Sequence, residues 1–434
     1  MRKLFKYPLV VPLLLIILAI LFRVVSEVQG WMPTNGDEAI MNLAALHISQ
    51  GRDFPAFFYG QHYLGTFEAY IGSVLYRLFG VSVLTMRLEM IGFYVAFPAV
   101  IYIFTKRLYN RNFALIVLAL LALGSPYIFA LQMRAVGYPE LPLFSASLFL
   151  VAFAIISNDH WAFQRRMLLY SVYGAIAGLS LWVHVLVAPY ILTSGSLLIL
   201  WRFREMLRMG LWCVLVSFLV GALPLLWYNV HASPGQDTLT NILYMTQVGQ
   251  GAAYDFWQHI LNTLFISIPA VTGLSSQCFL EGIAGSYPFL PIYQLHCFVE
   301  QASWGLIYVM LILAAMIMAV VGLRKAQYHR STMILHSTRF MLLFSVVITL
   351  IFYVRGSAPY YTAFLGSRYL ICLWVSSPAI LYPLWVLPHR RFAINLRFFV
   401  FTVIFIALAY DAVVSFYQIN QAQAENKQIA DLAT

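Results

Sequence analysis

Long apolar runs separated by short polar segments dominate the chain. Most runs reach the roughly 20 residues, or about 30 Å of helix, that are needed to cross a bilayer. The pattern predicts eleven transmembrane helices, near residues 8–25, 89–105, 113–131, 141–157, 167–184, 186–201, 210–228, 304–323, 340–354, 368–387 and 398–414. The run 259–274 is shorter and contains Pro269 and Gly273, so we expect an interfacial or re-entrant segment there.

The composition agrees with a membrane protein. Of the 434 residues, 62% are hydrophobic and 10% are charged, and the mean hydropathy is +0.81. A soluble core of this size could not bury so much apolar surface. The unbroken run 113–131 lacks the alternation of a transmembrane β-barrel. We therefore predict an all-α polytopic membrane protein whose residues 1–434 form a single transmembrane domain.

The net charge of +10 is distributed as small basic clusters between apolar runs, which is typical of positive-inside topology and not of a nucleic-acid partner. This distribution predicts a cytoplasmic N-terminus. The first run is expected to remain as a signal anchor, because Arg23, Glu27 and Trp31 stand where a cleavage site would need small residues. Two large external segments follow from this topology, at 26–87 and 229–303.

The acidic residues are sorted more sharply than topology requires. Of the 16 acids, only Asp159 and Glu205 fall in predicted inner segments, although Asp and Glu contribute little to orientation. Function is therefore expected at the outer face. Cys278 and Cys297 share the second external segment, where both a disulfide and two free buried thiols remain open.

The first external segment contains two adjacent acids, Asp37 and Glu38. Turn residues precede them, and an Ala- and Leu-rich helical pattern follows to Ile48. Either Asn35 or Asp37 would cap such a helix, so capping and the helix dipole offer a structural explanation for Asp37. A chemical role is the alternative, because paired charges beside a span are costly unless they are used.

A polar and aromatic stretch follows, from Tyr59 to Tyr70, before a second amphipathic helix that should end at Phe79-Gly80. Gly60 and Gly65 would allow close backbone approach. The candidate acceptor or sugar-pocket residues in this stretch are Gln61, His62, Tyr63 and Glu68. His62 and Glu68 are suited either to a divalent metal ion or to positioning a substrate.

The Asp-Glu pair after a first span, followed by Tyr-Gly-Gln-x-Tyr-x-Gly-x-x-Glu-Ala-Tyr, resembles the GT-C glycosyltransferases. Within that group it is similar to the branch of protein O-mannosyltransferases and aminoarabinose transferases, and most to bacterial members with undefined acceptors. The resemblance implies inverting transfer of a sugar from a polyprenyl-phosphate carrier to a protein, lipid or polysaccharide hydroxyl, at the outer face of a bacterial inner membrane. It assigns Asp37 as the base, with Glu38 orienting it or contacting the acceptor.

A lipid-phosphate leaving group calls for arginine at the membrane surface. Arg134 lies in a short external turn, where Tyr138 and Glu140 are candidates for lining the sugar pocket. Arg368 and Tyr369 form an Arg-Tyr pair that the family often carries. Pairing of Arg134 with Glu140 and snorkelling of Arg368 to lipid headgroups are the structural alternatives.

His184 ends the fifth predicted span and is either a further pocket residue or a hydrogen-bonded core histidine. Two other functions remain open. A transporter would place charged or broken-helix sites near the bilayer midplane. A non-catalytic binder of polyprenyl-linked glycans would keep the arginines without the chemistry.

Overall fold

The computed structural model describes residues 9–28, 34–124, 126–248, 256–273, 295–356, 358–361, 365–386, 399–410, 412–413 and 417. Cys278 lies outside these residues, so the alternatives of a disulfide with Cys297 and two free thiols stay open. The helices in chain order are α1 (Val10–Val28), α2 (Gly36–Ser49), α3 (Phe67–Phe79), α4 (Val83–Leu108), α5 (Arg111–Leu123), α6 (Pro126–Met133), α7 (Leu141–Ser157), α8 (Phe163–Val183), α9 (Ala188–Glu205), α10 (Leu211–Gly221), α11 (Leu223–His231), α12 (Thr238–Val248), α13 (Phe256–Asn262), α14 (Ile268–Thr272), α15 (Leu295–Lys325), α16 (Arg330–Arg355), α17 (Ala358–Tyr361), α18 (Ser377–Trp385) and α19 (Phe399–Tyr410).

The all-α membrane prediction is confirmed. In the described part of the chain, six helical stretches are long and apolar enough to cross a bilayer: Val10–Val28, Val83–Leu108, Phe163–Val183, Val185–Gly221, Val299–Lys325 and Arg330–Arg355. Three shorter apolar helices, α5, α7 and α19, accompany them. The chain is thus a multi-pass integral membrane protein.

The predicted spans 113–131 and 368–387 are not continuous α-helices, and neither is 210–228, which divides into α10 and α11 at Ala222. The predicted span 113–131 breaks at Gly124, whose φ of +68° turns the chain before α6 and whose Cα faces the Trp374 ring. The predicted span 368–387 opens as a 3-10 helix, Leu365–Ser376, before α18 continues it. Hydropathy does not detect these features, because all are changes of backbone conformation within an apolar run.

Close packing of α8 against α10 sets the arrangement of the middle helices. A side chain at Gly174 or Gly178 would collide with the backbone carbonyl of Val214 or Phe218, respectively. Small residues at this spacing let membrane helices approach closely. The contact pairs advance in the same direction, so α8 and α10 run parallel, while α9, which connects them in sequence, packs against α7 and α16.

Ion pairs join the connecting segments at the predicted inner end. Asp159 accepts from Arg202 at 2.7 Å and from Arg330 at 3.1 Å. Glu205 accepts from Arg166 at 2.9 Å. Arg202 itself has non-helical backbone angles, with φ −130° and ψ 29°, and kinks α9 three residues before its end at Glu205. Asp159 and Glu205, the two acids predicted on the inner side, therefore form ion pairs that link the inner segments to each other.

The predicted re-entrant segment 259–274 forms a short helical piece in which α13 and α14 flank a π-helical turn, Thr263–Ser267. His259 is buried and its Nδ1 lies 2.8 Å from Val354 O, while Asn262 donates to Pro359 O at 2.8 Å. Backbone that is irregular at membrane depth is tolerated where protein covers it. Re-entry itself stays a prediction.

Candidate active site

Asn35, and not Asp37, caps helix α2. The Asn35 side chain accepts the backbone N–H of Glu38 at 2.9 Å, which satisfies one of the free donors of the first turn. Asp37 therefore does not cap the helix. Its side chain is 35% exposed at the positive end of the helix.

Asp37 forms an ion pair with the candidate carrier-binding arginine. Arg368 Nη1 donates to Asp37 Oδ2 at 2.9 Å, although 331 positions separate the two residues. The Arg368 side chain is 26% exposed. The pair forms because the 3-10 segment brings Arg368 to the N-terminus of α2. Arg368 thus pairs with a carboxylate of the protein. An arginine that only snorkels to lipid headgroups would not need such a partner.

Three phenol rings and one imidazole surround this pair, and we call Tyr63, Tyr138, His184 and Tyr369 the aromatic cage. Ring centroids lie 5.8 Å apart for Tyr138 and Tyr369, 5.6 Å for Tyr138 and His184, and 5.9 Å for Tyr63 and His184. The Arg368 guanidinium carbon lies 5.2 Å from the centre of the Tyr138 ring. All four cage residues were candidates from the sequence, and the fold brings them together.

Tyr369 is the hub of the cage. Its ring centre lies 5.8 Å from that of Tyr138, 6.2 Å from that of His184 and 5.4 Å from the Arg368 guanidinium carbon. Burial raises the pKa of Tyr63 and of Tyr138 above the ordinary phenol value. At physiological pH both hydroxyl groups are therefore protonated and able to donate hydrogen bonds.

The backbone at Gly65 places Tyr63 beside His184. Gly65 N donates to Val183 O at 2.9 Å, and Trp182 Nε1 donates to Ala56 O at 2.7 Å. A Cβ at Gly65 would lie 2.6 Å from Trp182 O, so only glycine permits the approach. The predicted use of Gly65 is confirmed. Gly60 instead supplies a turn with φ +82° and open space around it.

Glu68 and Glu140 form a buried carboxyl pair under the cage. Glu68 Oε2 accepts Gly137 N at 2.8 Å, in the turn that carries Tyr138. Glu140 is also fully buried and lies within electrostatic range of Glu68, and neither of its carboxyl oxygens has a hydrogen-bond partner among the described residues. Burial, and for Glu68 also the neighbouring acid, raise the pKa of both groups. Through its bond to Gly137 N, Glu68 holds the Tyr138 turn against α3.

Glu38, the second acid of the motif, is fully buried in an ion triad. Arg87 donates to both of its oxygens, at 2.7 and 2.6 Å, and to Glu27 at the end of α1 at 2.7 Å. Arg134 lies within electrostatic range of Glu27 and therefore borders this triad. Both Glu38 oxygens accept from Arg87, and the residue is 0% exposed. Of its two predicted roles, contact with the acceptor does not fit this burial, whereas orienting the first turn of α2 does.

Gln61 and His62 have other surroundings. His62 stacks on Tyr228 of α11, with centroids 5.4 Å apart, and Gln61 N closes a turn by donating to Phe58 O at 2.9 Å. Arg87 was not a candidate, although it shares the property that makes Arg134 one, since both are basic residues on the predicted outer side, where the topology bias disfavours them. Within the described residues, no group of three His, Cys, Asp or Glu side chains is arranged to hold a metal ion.

No protein-family model matches the sequence, and no curated protein matches it either. Solved structures do. The oligosaccharyltransferase of Archaeoglobus fulgidus in the apo form matches with a TM-score of 0.50 and 13% identity, over 95% of this chain and 56% of that one. The same enzyme in complex with Zn and sulfate gives a TM-score of 0.50 at 13% identity, over 93% and 53%. ArnT from Cupriavidus metallidurans bound to undecaprenyl phosphate gives 0.48 at 14% identity, over 86% and 78%.

The likeness to the archaeal enzyme shows the fold. The chain has the helical membrane architecture of the GT-C enzymes, as the motif around Asp37 predicts, and spans about half the length of the archaeal protein. The finer resemblance to the O-mannosyltransferase and aminoarabinose transferase branch stays a prediction.

Proposed function

We propose that this protein is an inverting glycosyltransferase that moves a sugar from a polyprenyl-phosphate carrier to an acceptor hydroxyl at the outer face of the membrane. The observation that carries the proposal is the 2.9 Å pair between half-exposed Asp37 and Arg368, bordered by the aromatic cage. A carboxylate and a guanidinium side by side supply the two charges that the reaction needs. The partners of the protein are then the lipid-linked donor, the acceptor and the surrounding membrane lipids.

Asp37 is the general base in this reaction. The acceptor hydroxyl attacks the anomeric carbon of the sugar, and its proton passes to an Asp37 oxygen as the new C–O bond forms. The exposure of the carboxylate lets an acceptor from outside the protein reach it. Attack opposite the phosphate inverts the configuration at the anomeric carbon.

Arg368 offsets the charge of the leaving group. The bond between the anomeric carbon and the phosphate oxygen breaks with its electron pair on the phosphate, which becomes more negative. A guanidinium suits this group because its planar fork of N–H donors matches phosphate oxygens. Stabilising charge that develops in the transition state lowers the barrier.

The aromatic cage is suited to the sugar itself. Rings offer apolar faces to the C–H groups of a pyranose or furanose, and the protonated Tyr63 and Tyr138 hydroxyls offer hydrogen bonds to its hydroxyls. Glu68 supports this pocket by accepting Gly137 N and so fixing the Tyr138 turn. Glu38 and Arg87 fix the first turn of α2, and with it Asp37.

The fold shared with an oligosaccharyltransferase supports a transferase over the two other functions. A transporter would move a lipid-linked sugar across the bilayer without breaking its phosphate bond. A non-catalytic binder would hold the donor without turnover. Release of polyprenyl phosphate therefore separates a transferase from both of the other functions.

The test uses the full-length protein reconstituted in vesicles with undecaprenyl-phosphate-linked sugars and a cell-envelope extract as the acceptor source. We expect the wild-type protein to release undecaprenyl phosphate and Asp37→Asn to be slower by about 10²–10⁴-fold, the usual contribution of a general base. Asp53→Asn is the matched control, because Asp53 is an exposed acid of the same external segment that accepts from Tyr59. The proposal fails if the wild type releases no carrier from any donor, or if Asp37→Asn is as fast as the control.

A further inference from the structure

Under the proposed function, one guanidinium group serves two anions. Arg368 pairs with the carboxylate of Asp37 at 2.9 Å, and the same residue is the cation beside the departing phosphate. Its Nε atom is buried and has no hydrogen-bond partner among the described residues. The exposed part of the side chain is therefore the Nη end, where Asp37 already sits.

Charge conservation in the reaction relates these two anions. Before transfer, Asp37 carries one negative charge and the phosphodiester of the donor carries another. After transfer, the acceptor proton is on Asp37 and the electron pair of the broken C–O bond is on the phosphate. The total charge facing Arg368 is unchanged, but it has moved from the base to the leaving group.

We propose that Arg368 is a shared counter-ion that exchanges partners during the reaction, from the Asp37 carboxylate to the phosphate of the carrier. This inference rests on the proposed function and deepens it. As the phosphate draws the guanidinium away, Asp37 loses a neighbouring cation, and a carboxylate without its cation accepts a proton more readily. The same movement of Arg368 therefore stabilises the phosphate leaving group and makes Asp37 a stronger base.

The surroundings of the pair fit an exchange. The cage residues that contact Arg368 are neutral aromatic groups, Tyr138 and Tyr369, which hold a cation by their faces without fixing it to one anion. Asp37 contributes only one oxygen to one Nη atom. This single bond differs from the paired bonds that Arg87 makes to Glu38, and a single half-exposed bond costs little to break.

The proposal makes carrier binding and Asp37 competitors for Arg368. Undecaprenyl phosphate, the bare product carrier, is the probe, and its affinity is measured on the detergent-solubilised full chain by tryptophan fluorescence quenching. We expect Asp37→Asn to bind the carrier about three- to tenfold more tightly than the wild type, because the competing carboxylate is neutral. Asp53→Asn, which removes an equal charge outside the cage, should bind like the wild type.

A double-mutant cycle separates exchange from simple repulsion between two anions. Arg368→Gln should bind the carrier more weakly, and adding Asp37→Asn to Arg368→Gln should then give no further gain. If the gain from Asp37→Asn is equally large in both backgrounds, repulsion explains it and partner exchange is wrong. An unchanged or weakened affinity of Asp37→Asn also overturns the exchange.

The same samples distinguish this failure from failure of the proposed function. If the wild type releases undecaprenyl phosphate from a donor but the cycle shows no coupling, only the partner exchange is wrong. If the wild type neither binds the carrier nor releases it, the proposed function and the inference both fail.

Discussion

Asp37 and Glu38 are chemically similar neighbours, yet the fold treats them in opposite ways. Glu38 is fully buried, takes two bonds from Arg87 and shares that arginine with Glu27. Asp37 is 35% exposed and takes one bond from Arg368. Adjacent helical residues point about 100° apart, so α2 directs one acid into the protein and the other towards its surface. The burial of Glu38 suits a structural role, whereas the exposure of Asp37 suits contact with a substrate.

The largest effect on stability should come from the buried side of this comparison. Arg87→Met leaves the carboxylates of Glu27 and Glu38 buried without their cation, which should cost about 3–5 kcal/mol of unfolding free energy. Thermal or denaturant unfolding in detergent, followed by tryptophan fluorescence, measures it. Arg77→Met is the matched control, since Arg77 donates to the carbonyls of Ser49 and Ile48 at the end of α2 and forms no ion pair with an acid of the described residues. Equal losses in the two variants would contradict the triad.

The exposed side should respond in activity instead. Arg368→Lys keeps the positive charge but loses the planar fork of donors, so we expect a roughly 10–100-fold slower transfer with little change in unfolding. The measurement is the rate of undecaprenyl phosphate release in vesicles. Arg355→Lys, at the exposed end of α16, should transfer at the wild-type rate. If Arg368→Lys were as fast as this control, Arg368 would have no part in the proposed mechanism.

The smallest effect concerns pH and the carboxyl pair beneath the cage. Because burial and Glu140 raise the pKa of Glu68 above 4.5, the folded protein binds more protons than the unfolded chain above that pH. The stability from this group is complete below about pH 4.5 and is lost as the pH rises towards its folded-state pKa. Glu68→Gln cannot lose a proton, so its melting temperature should fall less than that of the wild type between pH 5 and pH 8.5. Parallel curves for the two proteins would show that Glu68 is not protonated in the folded state.

Much of the helical fold follows from hydropathy, because span length and charge distribution are properties of single segments. The break at Gly124 and the 3-10 stretch that carries Arg368 do not, because packing against Trp374 and the α2 terminus decides them. Asp37, Tyr63, Tyr138, His184, Arg368 and Tyr369 were candidates from residue type and position. Their convergence depends on contacts between residues up to 331 positions apart, which sequence spacing cannot reveal.

The motif also could not show which of the two acids, Asp37 or Glu38, is exposed. Asn35 and Asp37 were equal candidates for the helix cap, and the structure gives that place to Asn35. Glu38 was a candidate for contact with the acceptor, and its burial follows from Arg87, which opens the second span 49 residues later. The environment of each acid depends on an arginine from another segment, Arg87 for Glu38 and Arg368 for Asp37.

The most direct test of the central claim measures transfer by Asp37→Asn and Glu38→Gln side by side, as the rate of undecaprenyl phosphate release per folded molecule. We predict that Asp37→Asn is nearly as stable as the wild type but slower by about 10²-fold or more. Glu38→Gln should lose stability, while the molecules that remain folded keep a rate within about tenfold of the wild type. The opposite result, with folded Asp37→Asn active and folded Glu38→Gln inactive, would contradict the assignment of Asp37 as the base.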